Sequence, residues 1–378
     1  GAAAVGFDIV FPERDRTSPA KILGDIKEYF QLDVTIQGLP EKISDYDLLF
    51  SDALKNDRTI LGCFMVPMDY TTTELDMSID PNYKEYLKPF GPQDISVFDL
   101  IFQAKDITIS IPVLQGVTDR AFFNATPDPD NIVRSNPLIW AFGDRIYPSL
   151  ALEAIRIAKK IPWGKILFNE QGITEVVLGK NEIRIPTDQL GRLVVNYRTA
   201  KENRSGMFSS FPTYSAADVI EGGGFIEGRN GDVVFTNKFK DAFSGKIVFI
   251  GTSAIGLRDA YATPIAHPFP GVEVHATIVD NILSGDVLQL PSWMLGAQAM
   301  SILFMGIFLT VFIEKGKSWL SFMVSLVVIL ASIKFSLFLM EKHNMVYVPT
   351  WIILAVVIIY PVLTMIKFWQ EVLLKKRV

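Results

Sequence analysis

Thiol and imidazole are scarce in this chain of 378 residues: it has one cysteine, Cys63, and three histidines, His267, His275 and His343. A lone cysteine excludes an internal disulfide. With no CxxC pair and no histidines four residues apart, no metal-ligand spacing exists, and neither metal nor cofactor is expected. Basic charge is short as well. From Pro291 onward there are eight Lys/Arg and three acids, which leaves 28 basic and 38 acidic residues before it. An acidic body is the wrong partner for a polyanion, so a nucleic-acid binder is excluded. No period of 20–50 residues recurs, which excludes a solenoid. There is no initiator methionine and no signal peptide: the chain opens on Gly1–Phe11, already an apolar run. The expectation is a piece of a longer protein, lacking an anchor or signal before Gly1 and a domain after Val378.

What is abundant is apolar sequence, and it is concentrated at the end. Trp293–Ile313 is uncharged over 21 residues, about the length that crosses a hydrocarbon core. Trp319–Met340 carries only Lys334, and Met345–Ile366 carries Pro349 and Pro361. These are read as three transmembrane helices, with Trp293, Trp319, Tyr347 and Trp369 near their ends as interfacial aromatics. Lys334 within the second is either a helix contact or a snorkelling cation. Lys315 and Lys317 mark the first loop, and Lys367, Lys375, Lys376 and Arg377 the far end. The positive-inside rule puts both in the cytoplasm and residues 1–290 outside, with 367–378 opening a cytoplasmic linker.

Residues 1–290 read as one α/β domain, mostly a parallel sheet with β-rich insertions. Ala2–Phe11 is a short, nearly all-apolar run, the pattern of a strand buried on both faces. Asp45–Lys55 has helical spacing and precedes the apolar run Thr59–Val66. Residues 67–110 are irregular and are read as an inserted lobe. Ser149 opens a helix over Leu150–Lys160, and residues 165–187 read as short strands. Leu193–Tyr197 is a strand, and Ser215 caps a short helix to Ile220. Lys246–Ile250 is again an apolar strand, and Gly271–Leu283 is a closing helix.

The chemistry-bearing residues gather around the last of these. Ile247–Ile250 runs into the turn Gly251-Thr252-Ser253-Ala254, and ligands of open α/β sheets bind beyond strand carboxyl ends. The turn is neither a phosphate loop nor GxGxxG, and Ser253 is not in a GxSxG elbow. Asp8 ends the first strand and faces either the same crevice or its own loop. Glu273 and His275 are two apart, so on a helix they do not share a face. Glu273 suits a helix N-terminus and His275 a buried partner, or both serve the crevice.

At these residues the sequence resembles the second type of CHASE domain, an extracytoplasmic sensor module. The matching pieces are Gly1–Phe11 with Glu13 and Asp15, Asp45–Leu54, Asn131–Arg134, Tyr147–Ala151, Ser215–Val219 and Lys246–Gly251. The most specific are Arg258-Asp259 through Thr263-Pro264, then Pro270–Ala276 and Asn281–Leu283. The family's opening strand is missing, and residues 67–110 match poorly. The resemblance implies a homodimeric bacterial inner-membrane receptor. Its outer domain would bind an unknown periplasmic or extracellular ligand and regulate a cytoplasmic output, most often a class III adenylate or guanylate cyclase, less often a kinase. Candidate ligand-binding residues are Asp8, Thr252, Ser253, Glu273 and His275 of the crevice, with Glu13, Asp15, Arg258, Asp259 and Thr263 from the matching segments. The competing readings are a membrane-anchored envelope hydrolase using Ser253 and His275, and a structural envelope module.

Overall fold

The computed structural model describes residues 1–55, 58–68, 83–180, 183–202, 208–227, 233–237, 239–252, 260–291, 293–315 and 318–377. It divides into two compact units, Gly1–Val287 and Leu288–Val378.

The first unit is α/β. Its central sheet places Ile247–Ile250, Ala4–Phe7, Thr59–Pro67 and Asp119–Phe122 side by side and parallel, with Val5 paired to both Val248 and Thr59, and Ile60 to Asp119. The far half of Thr59–Pro67 pairs antiparallel with Ala104–Thr108. Apolar runs without alternation form these strands because helices cover both faces. On one side Ala4, Ile60 and Ala121 pack on Leu150 and Ala154 of helix Leu150–Ala158. On the other, Phe7 and Leu61 pack with Phe50 and Leu54 of helix Tyr46–Leu54. Both helices begin where expected, for a capping reason. Asp45 accepts from the Asp47 and Leu48 N–H groups, and Ser149 from Leu152 N–H.

The β-rich insertions are real. Ile183–Pro186, Gly172–Leu178 and Gly164–Asn169 form an antiparallel sheet to which Leu87–Phe90 adds a parallel edge. Several expectations shift. The first strand is Ala4–Phe7, shorter than Ala2–Phe11, because the chain leaves the ladder after Asp8. Within residues 67–110, read as an inserted lobe, Leu87–Phe90 joins the antiparallel sheet and Ala104–Thr108 the central one, while residues 69–82 lie outside the described residues. Ser215 sits at an N-cap backbone position, yet its side chain makes no capping hydrogen bond. A helix over Pro19–Phe30 appears where no element was expected.

The second unit holds three helices, Met294–Lys315, Ser318–His343 and Thr350–Arg377, each long and apolar enough to span a membrane. The third starts at Thr350, not Met345. Met345 and Val346 are extended, and Val346 N–H donates to Gln289 O at 3.0 Å, so the helix begins only after Pro349. Lys334 is exposed, so it is not a contact between these helices. Lys367 instead reaches back, donating from Nζ to the Ile313 carbonyl at 2.9 Å.

Candidate functional site

Strand order decides where a crevice opens. The chain moves from Ala4–Phe7 to Thr59–Pro67 to Asp119–Phe122 in one direction, then returns to the opposite side of the first strand with Ile247–Ile250. The reversal falls between Ala4–Phe7 and Ile247–Ile250, and a doubly wound sheet opens its binding crevice beyond the carboxyl ends of such a pair. Those ends are Asp8 and Gly251. Asp8 N–H donates to Ile250 O at 2.8 Å, so the ladder carries the carboxylate to the mouth. Helix Gly271–Ser284 packs directly on these strand ends: a Cβ on Gly251 would lie 2.8 Å from Val272 Cβ and 3.2 Å from Asp8 Cβ.

His275 enters from the second turn of that helix and is buried. Its Nε2 lies 3.0 Å from Phe123 O, just past strand Asp119–Phe122, and 4.0 Å from Asp8 Oδ1. A carbonyl only accepts, so Nε2 carries the proton and Nδ1 is the bare nitrogen. Nδ1 is buried without a hydrogen-bond partner among the described residues. Burial pushes the His275 pKa down to about 4, and the Phe123 carbonyl only partly opposes it. The ring is therefore neutral at pH 7, and its approach to Asp8 is a dipole contact, not an ion pair. A buried neutral imidazole spans three strands' ends: it ties the helix to Phe123 across Asp8.

Glu273 faces away from His275, as two-residue spacing on a helix requires. Its carboxylate accepts from the Ser209 hydroxyl and from Ser210 N–H at 3.1 Å, so it fastens strand Phe208–Ser209 to the helix. Burial raises its pKa, while those donors pull it back. Of the other sequence candidates, Thr252 follows Gly251 at the mouth. Thr263 closes its own turn, donating to Ala266 O at 2.9 Å. Asp15 accepts from the Ser18 and Thr17 hydroxyls, bonds that hold its carboxyl below the usual range, and Glu13 pairs with Arg16 on the surface. Neither reaches the crevice, because Asp15 anchors the start of helix Pro19–Phe30 instead. Ser253, Arg258 and Asp259 lie outside the described residues. Of the sequence candidates, the structure brings His275 to Asp8, which lies beside Gly251, while Glu273 tethers the same helix and Thr252 follows Gly251 in the chain.

The opposite end of the same helix carries a polar cluster that sequence reasoning missed. Asn281 Oδ1 accepts from Asn196 N–H at 2.8 Å, and its Nδ2 donates to Asn196 O at 2.9 Å. Arg198 bridges Asp280 at 2.7 Å and Asp286 at 2.6 Å. Asn281 had a readable sign, an amide among the apolar positions Val274, Ile278 and Ile282 in a segment that matches the family, and the structure buries it fully. Arg198 gave none, since it lies in no periodic element.

Gly251 can be tested directly. Gly251→Ala is expected to destabilise the chain by about 1–3 kcal/mol, since two Cβ atoms that cannot swing aside must separate. Gly24→Ala, where a methyl meets nothing within 4 Å on a helix, is expected to be neutral or mildly stabilising. Thermal unfolding of the full chain in detergent distinguishes them, and equal effects would remove the close-approach argument.

Compared with known families, residues 1–312 match the CHASE2 domain. No curated protein and no solved structure matches the chain.

Proposed function

The chain belongs to the CHASE2 domain family, and on that premise we propose that it is the sensing and membrane-relay part of a bacterial receptor whose output domain is a class III adenylate cyclase. A sensor domain joined to three candidate membrane spans fits a membrane receptor. In this reading the receptor sits in the inner membrane as a homodimer. Residues 1–290 face outward, where they meet a periplasmic or extracellular ligand, and the C-terminal end is cytoplasmic, as the distribution of Lys and Arg favours.

The observation that carries the relay is one helix. Gly271–Ser284 holds His275 in the crevice near its start and the Asn281–Asp286 cluster at its end, and Met294 opens the first span ten residues after Ser284. A ligand that prefers one position of this helix over another biases the spans by that difference in affinity. The hydrolase alternative draws no support from the site. Its base, His275, is fully buried with its pKa pushed down to about 4, which leaves it a weak base, and Ser253 lies outside the described residues.

A disulfide tests the relay. Asn196→Cys with Asn281→Cys targets two positions already in contact, since the Asn281 amide bonds the Asn196 main chain on both its N–H and its carbonyl. Oxidising this variant of the whole receptor in membranes is expected to fix cyclic-nucleotide production at one level, with the reduced form of the same variant as reference. If oxidised and reduced forms respond alike to changes in the outer medium, the helix is not the relay.

A further inference from the structure

Among the described residues, the hydrogen bonds that tie helix Pro19–Phe30 to the domain lie at its N-terminal end. Ser18 Oγ accepts from Tyr46 N–H at 2.9 Å and donates to Asp15 at 2.7 Å, and Ala20 N–H donates to Ser44 O at 2.9 Å. Beyond that turn no residue of the helix is buried. Twelve residues are too few to be helical alone in water, since helices this short draw their stability from a packed apolar face. This one has such a face: Ile22, Ile26 and Tyr29 recur at i, i+4 and i+7. Tyr29 and Phe30 are 75% and 70% exposed. Ten large apolar side chains between Ile22 and Leu49 stand exposed, Ile22, Tyr29 and Phe30 of them on the helix. At about half-exposure each they offer roughly 900 Å² per copy, against about 800 Å² per partner in an ordinary specific interface. A patch of that size marks an interaction surface.

We propose that this face is where two copies of the chain meet, with the Pro19–Phe30 helices packed antiparallel. Charge selects the occupant. A helix that docks on an anionic bilayer is rich in Lys and Arg, whereas here Lys21 and Lys27 are balanced by Asp25 and Glu28. Lys21 and Glu28 are seven apart and border the apolar stripe on the same side, one near each end. Reversing a second copy therefore sets Lys21 of each against Glu28 of the other, giving two symmetric ion pairs around a common apolar seam. A parallel copy places these residues on opposite edges of the seam and makes no such pairs. The membrane spans confine copies to one plane, which raises the effective concentration for such a contact.

The pairing gives an interface to the two-copy receptor proposed above, but its test reads geometry and not output, so it can fail while the sensor reading stands. Copies of the full chain carrying Lys21→Cys and Glu28→Cys under different tags are coexpressed and oxidised in membranes. The 21–28 cross-link is expected to form, and neither 21–21 nor 28–28. Ile22→Asp with Tyr29→Asp, added to both copies, is expected to weaken the contact about a hundredfold, since two large apolar groups are lost from each side. The thermal midpoint of the folded chain should hold, because neither side chain is buried. A 21–28 yield no higher than that of an exposed control pair at Lys55 overturns the proposal. So does a cross-link only between like positions, or one that survives the double Asp variant.

Discussion

Arg156→Ala is expected to cost about 3–5 kcal/mol of unfolding free energy, the range for removing one partner of a buried ion pair. Glu153 on helix Leu150–Ala158 is only 2% exposed, and this helix backs the central sheet. Arg156 Nε lies 3.0 Å from both carboxylate oxygens of Glu153, its Nη2 reaches Asp119 at 2.8 Å, and the guanidinium stacks over the Tyr86 ring at 4.7 Å. Desolvation raises the Glu153 pKa, and the Arg156 hydrogen bond is the main force pulling it back. Without Arg156 the buried acid has lost its counter-ion. A raised carboxyl contributes stability below its unfolded value and loses it as pH rises through the folded one, so the deficit should be larger at pH 7 than at pH 4.5. The thermal midpoint should fall by on the order of 10 °C at pH 7. Adding Glu153→Leu to Arg156→Ala should recover much of the loss, because an uncharged residue needs no partner. If the single variant unfolds at the wild-type temperature, the pair does not hold the helix on the sheet.

The second large effect is a dependence on acid that belongs to His275. Its pKa is pushed from 6.5 in the unfolded chain to about 4 in the folded one. Between these values the unfolded state binds the extra proton, so stability present above pH 6.5 is lost as pH falls toward 4, about 3 kcal/mol in all. Glu273 and Glu153, both raised by burial, act with the opposite sign and partly mask this slope. His275→Gln separates the contributions. The amide keeps an N–H for the Phe123 carbonyl but cannot titrate, whereas the two acids remain in both proteins. The stability difference between wild type and variant, measured on the full chain at pH 7 and at pH 4.5, is expected to shift in the variant's favour by most of that amount. Parallel pH profiles would mean that His275 is not held neutral, and its bond to Phe123 would need another explanation.

How much of this was legible beforehand follows from the range of the forces. The apolar runs at Thr59–Pro67 and Ile247–Ile250 announce buried strands, because a strand covered on both faces has no polar alternation. Caps at Asp45 and Ser149 announce helices for a reason equally local. The two-residue spacing of Glu273 and His275 already separated their faces, and the structure gives them different partners, Ser209 and Phe123. Local reasoning failed where a side chain answers to something distant. Arg198 lies in no periodic element, and its partners Asp280 and Asp286 are 82 and 88 positions along the chain. Leu87–Phe90 and Ala104–Thr108 looked like one irregular lobe, since an edge strand and an antiparallel strand obtain their pairing from segments far along the chain. Helix Pro19–Phe30 escaped notice because its apolar residues find no cover within the domain.

The sequence alone determined the two-part character of the protein: an acidic α/β body and an apolar tail with three segments that match a bilayer in length. Hydropathy and charge are sums over neighbours in the chain and need no fold to be read. Tertiary structure alone decided the crevice. Asp8 and Gly251 are 243 positions apart and meet only because the last parallel strand returns beside the first. His275 reaches Phe123 across them because the helix after that strand folds back over the sheet. Strand order is fixed by packing of both sheet faces at once, a cooperative condition that no local pattern encodes.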